Sequence, residues 1–440
     1  MITTRLALPL LACVALSACG VFRGSERSTP VLGDRVSVLG AEVDIGVDPV
    51  AAAAPFALPA PQSNASWEQS GGNAGKSMGH LALGSDLSLA WNRSIGTGSS
   101  STARLTSTPI VAEGRVYAID VYGMVSAFDA ASGAPVWRVA TSDTGRNRDS
   151  LYGGGVAFGG GRIFATNGLG DVVALDPATG GVAWRAKPGG TLRGAPTYDG
   201  TNLYVTSQDN QLFALSPLDG STQWSAAAAL EVAGVFGTAA PAAGRGTVVA
   251  GFSSGDLNAY RYENGNQVWQ DTLARTSISR SVSTLADIDA DPVIDGNQVF
   301  ALGQGGRMVS LDILRGQRLW ELNLAGTATP YVAGDHVYVV TDEAQMIAIQ
   351  RGDGAVRWIT QLPRYRNAKK KSGPIFYAGP VLAGGRLIAV SSEGAMIEVE
   401  PGAGTIQRQR DLGRRFSMQP VVANGTLYLL DDEGTLAAFR

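Results

Sequence analysis

The chain has 440 residues, a formal charge of −3, 17% charged and 45% hydrophobic residues, 57 Gly, two Cys and two His. That balance excludes a disordered chain, a strongly basic nucleic-acid binder and a disulfide-stapled scaffold. The glycine content instead points to many turns, as in an all-β protein.

At the N-terminus, Arg5 precedes an apolar run from Leu6 to Leu16 that is too short to span a bilayer. The run ends in Leu16-Ser17-Ala18-Cys19, which resembles a bacterial lipobox. Small side chains at Ser17 and Ala18 suit a signal peptidase, and the Cys19 thiol is the nucleophile that takes up diacylglycerol. Residues 1–18 are therefore expected to be a signal peptide and Cys19 the lipidated first residue of the mature chain. Several acyl chains on one residue anchor stably where one does not. Gly20, where an Asp would hold the protein at the inner membrane, points to the periplasmic face of the outer membrane. Cys13 leaves with the signal and Cys19 becomes a thioether, so no disulfide is expected.

Residues 19–80 show no sustained period. Pro49-Val50-Ala51-Ala52-Ala53-Ala54-Pro55, Pro59 and Pro61 read as a tether, and deleting 20–65 is expected to cost almost nothing. Trp67, which sits in this stretch, is a candidate to pack back onto the body.

From residue 109 a repeat sets in. Pro109 is followed at intervals of fourteen, ten and four by Gly123, Gly133 and Trp137. The register returns at Pro196, Asn210, Gly220, Trp224; at Pro241, Gly255, Gly265, Trp269; at Pro292, Gly306, Gly316, Trp320; and at Pro330, Ala344, Gly354, Trp358. One unit has Val156 for Pro but keeps Gly170, Gly180 and Trp184. Another keeps Pro380, Gly394 and Gly404 but carries Arg408 where Trp is expected. The last stops after Pro420 and Gly434.

Each unit reads as strands. Arg115-Val116-Tyr117-Ala118-Ile119 and its equivalents are β-branched and aromatic runs bounded by turn residues. The central Gly or Asn suits the positive φ of a tight hairpin. Four residues on stands a small side chain (Ala127, Ala174, Ala214, Ala259, Ser310, Ala348, Ala438), which leaves room for the recurring Trp. The truncated eighth unit lacks its Trp-bearing strand, and Leu89-Ala90-Trp91-Asn92-Arg93 supplies one with no unit of its own. Joining the two predicts an eight-bladed β-propeller over 81–440, with four-stranded blades and the ring closed by the N-terminal strand. Trp91, Trp137, Trp184, Trp224, Trp269, Trp320 and Trp358 are then structural, docking between blades.

The pattern Ala-x-Asp-x-x-x-Gly-x-x-x-Trp, intact at Ala127 to Trp137 and Ala174 to Trp184, resembles the tryptophan-docking motif of pyrroloquinoline-quinone-type propellers. Two families share it: quinone-dependent dehydrogenases and BamB, the propeller lipoproteins of the outer-membrane β-barrel assembly machine. A lipobox with a propeller of this length resembles the second. No Cys remains in the propeller to form the adjacent-cysteine ring on which the dehydrogenases stack their quinone. The BamB resemblance implies a non-catalytic scaffold without cofactor that docks on the POTRA repeats of the barrel protein BamA, and through it meets the other Bam subunits. It also implies contact residues. Leu285-Ala286-Asp287-Ile288-Asp289, before Asp291-Pro292, is similar to a family segment whose two acids touch the POTRA repeats. Val235-Phe236-Gly237, before Pro241, matches the neighbouring contact loop, although Phe236 stands where the family often has a basic residue. Read from the residues alone, a solvated acidic inter-blade loop or turn caps weighs as much for Asp287 and Asp289 as a contact does.

No metal site is expected. His80 and His336 lack ligand spacing, and Asp287, Asp289 and Asp291 alternate without the Gly and Glu of an EF-hand. Gly153-Gly154-Gly155 and Gly159-Gly160-Gly161 are turns, since no P-loop Lys follows. Arg364, Arg366, Lys369, Lys370 and Lys371 form a basic loop, either solvated or a contact for an acidic surface or anionic lipid. The alternative functions are a periplasmic quinone-dependent dehydrogenase and an independent ligand-binding propeller.

Overall fold

A computed structural model describes residues 45–142, 152–229, 239–273 and 287–440. The repeat folds as expected. Among the described residues are eight four-stranded antiparallel sheets, each in simple chain order except one. That one sets Leu89–Ser94 beside Thr435–Phe439, with Trp91 opposite Ala438, and so closes the ring. Blades 1 to 7 span 110–140, 156–186, 197–227, 242–272, 293–322, 331–361 and 377–411. Blade 8 combines 421–439 with Leu89–Ser94.

The register explains the spacing. Each Trp lies across from the small residue of its own blade: Trp137 from Ala127, Trp184 from Ala174, Trp224 from Ala214, Trp269 from Ala259, Trp320 from Ser310 and Trp358 from Ala348. The indole then leans onto the second repeat Gly of the next blade. A Cβ added at Gly133 would lie 2.6 Å from Trp91, and one at Gly316 or Gly404 2.5 Å from Trp269 or Trp358. Those glycines also have positive φ (Gly133 69°, Gly316 67°, Gly404 73°), so both space and backbone demand Gly. Each indole N–H donates to a carbonyl of that same neighbouring turn, Trp137 to Pro177 at 2.9 Å and Trp269 to Ile313 at 2.7 Å. The seven repeat Trp are thus hydrogen-bonded bolts between blades.

The exception at Arg408 has a physical reason. The outer strand of blade 8 comes from the N-terminal side, so blade 8 has no turn glycine to receive an indole. Arg408 instead faces Glu398, which replaces the small residue. The buried Glu398 pairs with Arg386 at 3.0 Å and Arg410 at 3.5 Å, and these arginines donate to the carbonyls of Gly84 and Leu87. An ionic seam takes the place of the eighth bolt, and it grips the chain leading into the closing strand.

The tether expectation needs correction. Residues 44–440 form one compact unit. A short helix, Pro49–Ala53, is capped by Asp48, and Arg357 donates to the carbonyls of Ala51 and Ala54 while lying over the Phe56 ring. Residues 64–81 then run around the central channel and hydrogen-bond the innermost strand, or the hairpin leaving it, in every blade. In order of blades 1 to 8 the pairs are Trp67 with Val111, Glu68 with Phe158, Gln69 with Tyr198, Ala74 with Ala243, Gly75 with Ile294, Gly79 with Tyr331, Leu81 with Leu382, and Asn64 with Val422. His80 fixes the exit of this plug, donating from Nδ1 to Pro59 O and accepting at Nε2 from Gly385 N. Composition concealed the plug because its bonds are mostly backbone bonds, which need no periodic side chains.

Candidate functional site

In a four-stranded blade the hairpin after the innermost strand and the turn before the outermost strand share one face. The connections between blades lie on the other. Because Asn64 and Leu81 meet the hairpins at Asn424 and Gly384, the plug closes the channel toward the first face. Among the described residues, the opposite end holds a cup of about 130 Å³ with Ser70 of the plug among its lining residues.

The repeat register builds the cup wall. Thr106, Asp289, Thr327, Tyr377 and Ser417 each stand three residues before the first repeat position of their blade, and all line it. Arg193 holds the same register position in blade 3. Its guanidinium is buried, with Nη2 2.9 Å from Asp287 Oδ1 and 3.5 Å from Asp289 Oδ1. Asp289 also accepts from Gln304 Nε2 at 2.7 Å. Burial first, and the neighbouring Asp287 charge second, push the Asp289 carboxyl up to about 7 against the pull of Arg193. The third acid, Asp291, accepts from Ser70 Oγ and Ala240 N and faces Lys76, whose ammonium donates to Thr197. Burial lowers the Lys76 amine to about 8 despite the attraction of Asp291. The three alternating acids are therefore matched by two protein cations.

The resemblance implies that Asp287 and Asp289 touch a partner, and read from the residues alone they are also a solvated loop or turn caps; in the structure they are buried rather than solvated. The Asp287 side chain is 1% exposed and that of Asp289 9%, and Ile288 is packed in the core against Gly251. Of the set, only Asp289 and Asp291 reach the cup surface. Cys19, Val235, Phe236 and Leu285 lie outside the described residues. Arg193 and Lys76 escaped sequence reading because isolated cations carry no motif. Aligning the position three residues before each repeat start would have drawn attention to Arg193.

The profile of the family described as "Outer membrane protein assembly factor BamB" matches residues 83–137 and 121–360. The BamB of Alkalilimnicola ehrlichii is 32% identical over 354 residues, covering 80% of this chain and 87% of its own. That of Escherichia coli K12 is 28% identical over 389 residues, covering 79% and 87%. Among solved structures, BamB from Moraxella catarrhalis superposes with a TM-score of 0.67 at 19% identity, covering 81% of this chain and all of that one. A quinohemoprotein alcohol dehydrogenase from Comamonas testosteroni reaches 0.66 at 13% identity, covering 85% and 80%. At such identities both likenesses speak to the fold alone.

Proposed function

The chain belongs to the BamB family of outer membrane protein assembly factors, and on that premise we propose that it is a non-catalytic scaffold of the β-barrel assembly complex, docking on the POTRA repeats of BamA. The observation that carries this reading is the family match, which spans most of the propeller. The cup face supports it. Asp287 and Asp289 lead into the innermost strand of blade 5, and Val235 and Phe236 belong to the connection leading into that of blade 4. Of the two segments, the one carrying Asp287 and Asp289 is described and stands on the cup face. Within this reading Asp287 and Asp289, tied to Arg193, hold the rim in shape, and Val235 and Phe236 supply apolar contact.

The test follows from that division. A variant with Val235→Asp and Phe236→Asp is expected to fold and melt as the wild type does, yet to be lost from BamA in mild-detergent copurification from the native host. Full copurification would remove this loop from the interface. Stoichiometric quinone absorbance in the purified protein would favour the dehydrogenase reading instead.

In the same reading, lipid on Cys19 holds the protein at the periplasmic face of the outer membrane. Cys19→Ala is expected to leave a larger, unlipidated precursor at the inner membrane, visible by gel mobility and membrane fractionation. Normal processing and sorting of that variant would refute the anchor.

A further inference from the structure

Between the outer strand of blade 6 and the inner strand of blade 7, the basic loop folds into a two-stranded hairpin, Tyr365–Asn367 paired with Ser372–Pro374. Its base is tied down. Ile375 N donates to Arg364 O at 2.9 Å, and Tyr377 OH donates to Pro363 O at 2.8 Å. Arg364 and Arg366 find exposed partners in Glu343 and Glu393. The tip is different. Lys369, Lys370 and Lys371 are all exposed, and among the described residues no carboxylate lies within ion-pair distance of them. The turn that presents them is built, with Asn367 Oδ1 accepting from Lys370 N and Lys371 in the left-handed region at φ 47°. Beside the base, Phe376 is 58% exposed, the one aromatic among the exposed large hydrophobic residues described.

Position identifies the partner. As a connection between blades, the hairpin stands on the cup face, and Tyr377, which braces it, also lines the cup with Asp289. The first described residues, around Asp48 and Pro49–Ala53, lie on the other face, against the start of the outer strand of blade 6 and the turn of blade 7. The hairpin extends the proposed docking face, beside the cup that Tyr377 and Asp289 line. An exposed aromatic ring suits the core of a protein contact, and the lysines beside it suit its polar rim. We propose that the hairpin is a second docking element, in which Lys369, Lys370 and Lys371 meet an acidic surface of the protein seated on the cup and Phe376 packs against it. This rests on the docking reading above and names the chemistry of the partner at this edge.

The test uses the full-length protein in detergent and the purified periplasmic region of BamA from the same host. A variant carrying Lys369→Ser, Lys370→Ser and Lys371→Ser is expected to melt as the wild type, because all three side chains are exposed and without an ion pair among the described residues. Its affinity at low salt should fall on the order of tenfold, mainly through slower association, and the gap should close at high salt. Phe376→Ser should weaken binding at both salt concentrations. Unchanged affinity and salt dependence in both variants, with wild type binding well, would overturn the hairpin proposal and leave the docking reading standing. Failure of the wild type to bind would overturn both. In a parallel arm, phosphatidylglycerol vesicles that bind the wild type but not the triple variant, with BamA affinity unchanged, would assign the hairpin to the membrane instead.

Discussion

Replacing Trp67 by Ala is expected to cost about 3–5 kcal/mol, the usual loss for a buried aromatic ring. The side chain is 1% exposed and joins a core cluster with Val111, Leu81 and Leu382, drawn from blades 1 and 7 and the plug itself. Its backbone exchanges two hydrogen bonds of 2.8 Å with Val111. The indole N–H is buried without an acceptor among the described residues, so the ring contributes through packing. Trp67→Phe should therefore cost much less, since it keeps most of the contact and removes an unsatisfied donor. Deleting 62–81 is expected to be more damaging than either. It would uncover the channel lining and leave Asp291 without Ser70 or Lys76. Denaturant titration with an unchanged m-value decides the point substitutions. A deletion variant that unfolds like wild type would show that the plug is an appendage, as a tether would be.

The second large effect is expected at Arg193. Arg193→Ala leaves Asp287 and Asp289 buried without their shared cation, and breaking a buried pair from one side typically costs about 3–5 kcal/mol. The loss should depend on pH. The folded-state pKa of Asp289 is raised from 3.8 to about 7, so between those values the folded protein binds the proton more tightly than the unfolded chain. Acidification from pH 8 toward pH 5 therefore favours the folded state at this residue, and that stabilisation is lost as pH rises through 7. Without Arg193 the folded pKa rises further. The melting-temperature gap between variant and wild type should accordingly be wide at pH 8 and narrower at pH 5. A gap independent of pH would show that Asp289 does not carry the stranded charge. The same geometry means that reversing Asp287 and Asp289 to Lys would place three cations together in a buried site. Loss of partner binding in that variant would report unfolding, which is why Val235 and Phe236 are the better probes.

Local sequence determined the blades. A hairpin that needs positive φ admits Gly, Asn or rarely Ala, as at Gly123, Asn210 and Ala344. A turn pressed against an indole admits only Gly, as at Gly133. A Trp needs a small residue across the strand pair, as with Ala127. These constraints act within about thirty residues and recur, so spacing alone carried the fold, the blade count and the placement of Trp91 in the closing strand. Even the departure at Arg408 was visible as a departure, although its meaning required Glu398 and the missing turn of blade 8.

The tertiary structure decided what lies inside the ring. The plug from 64 to 81 is held by hydrogen bonds, mostly between backbone groups, to all eight blades across some 300 residues, and nothing periodic in its own side chains announces them. Asp287 and Asp289 look like a solvated acidic pair until the ring brings Arg193, 94 residues away from Asp287, to within 2.9 Å. Whether an acid is surface or core depends on the charge that folding sets beside it, because only a paired charge is tolerated where water is excluded.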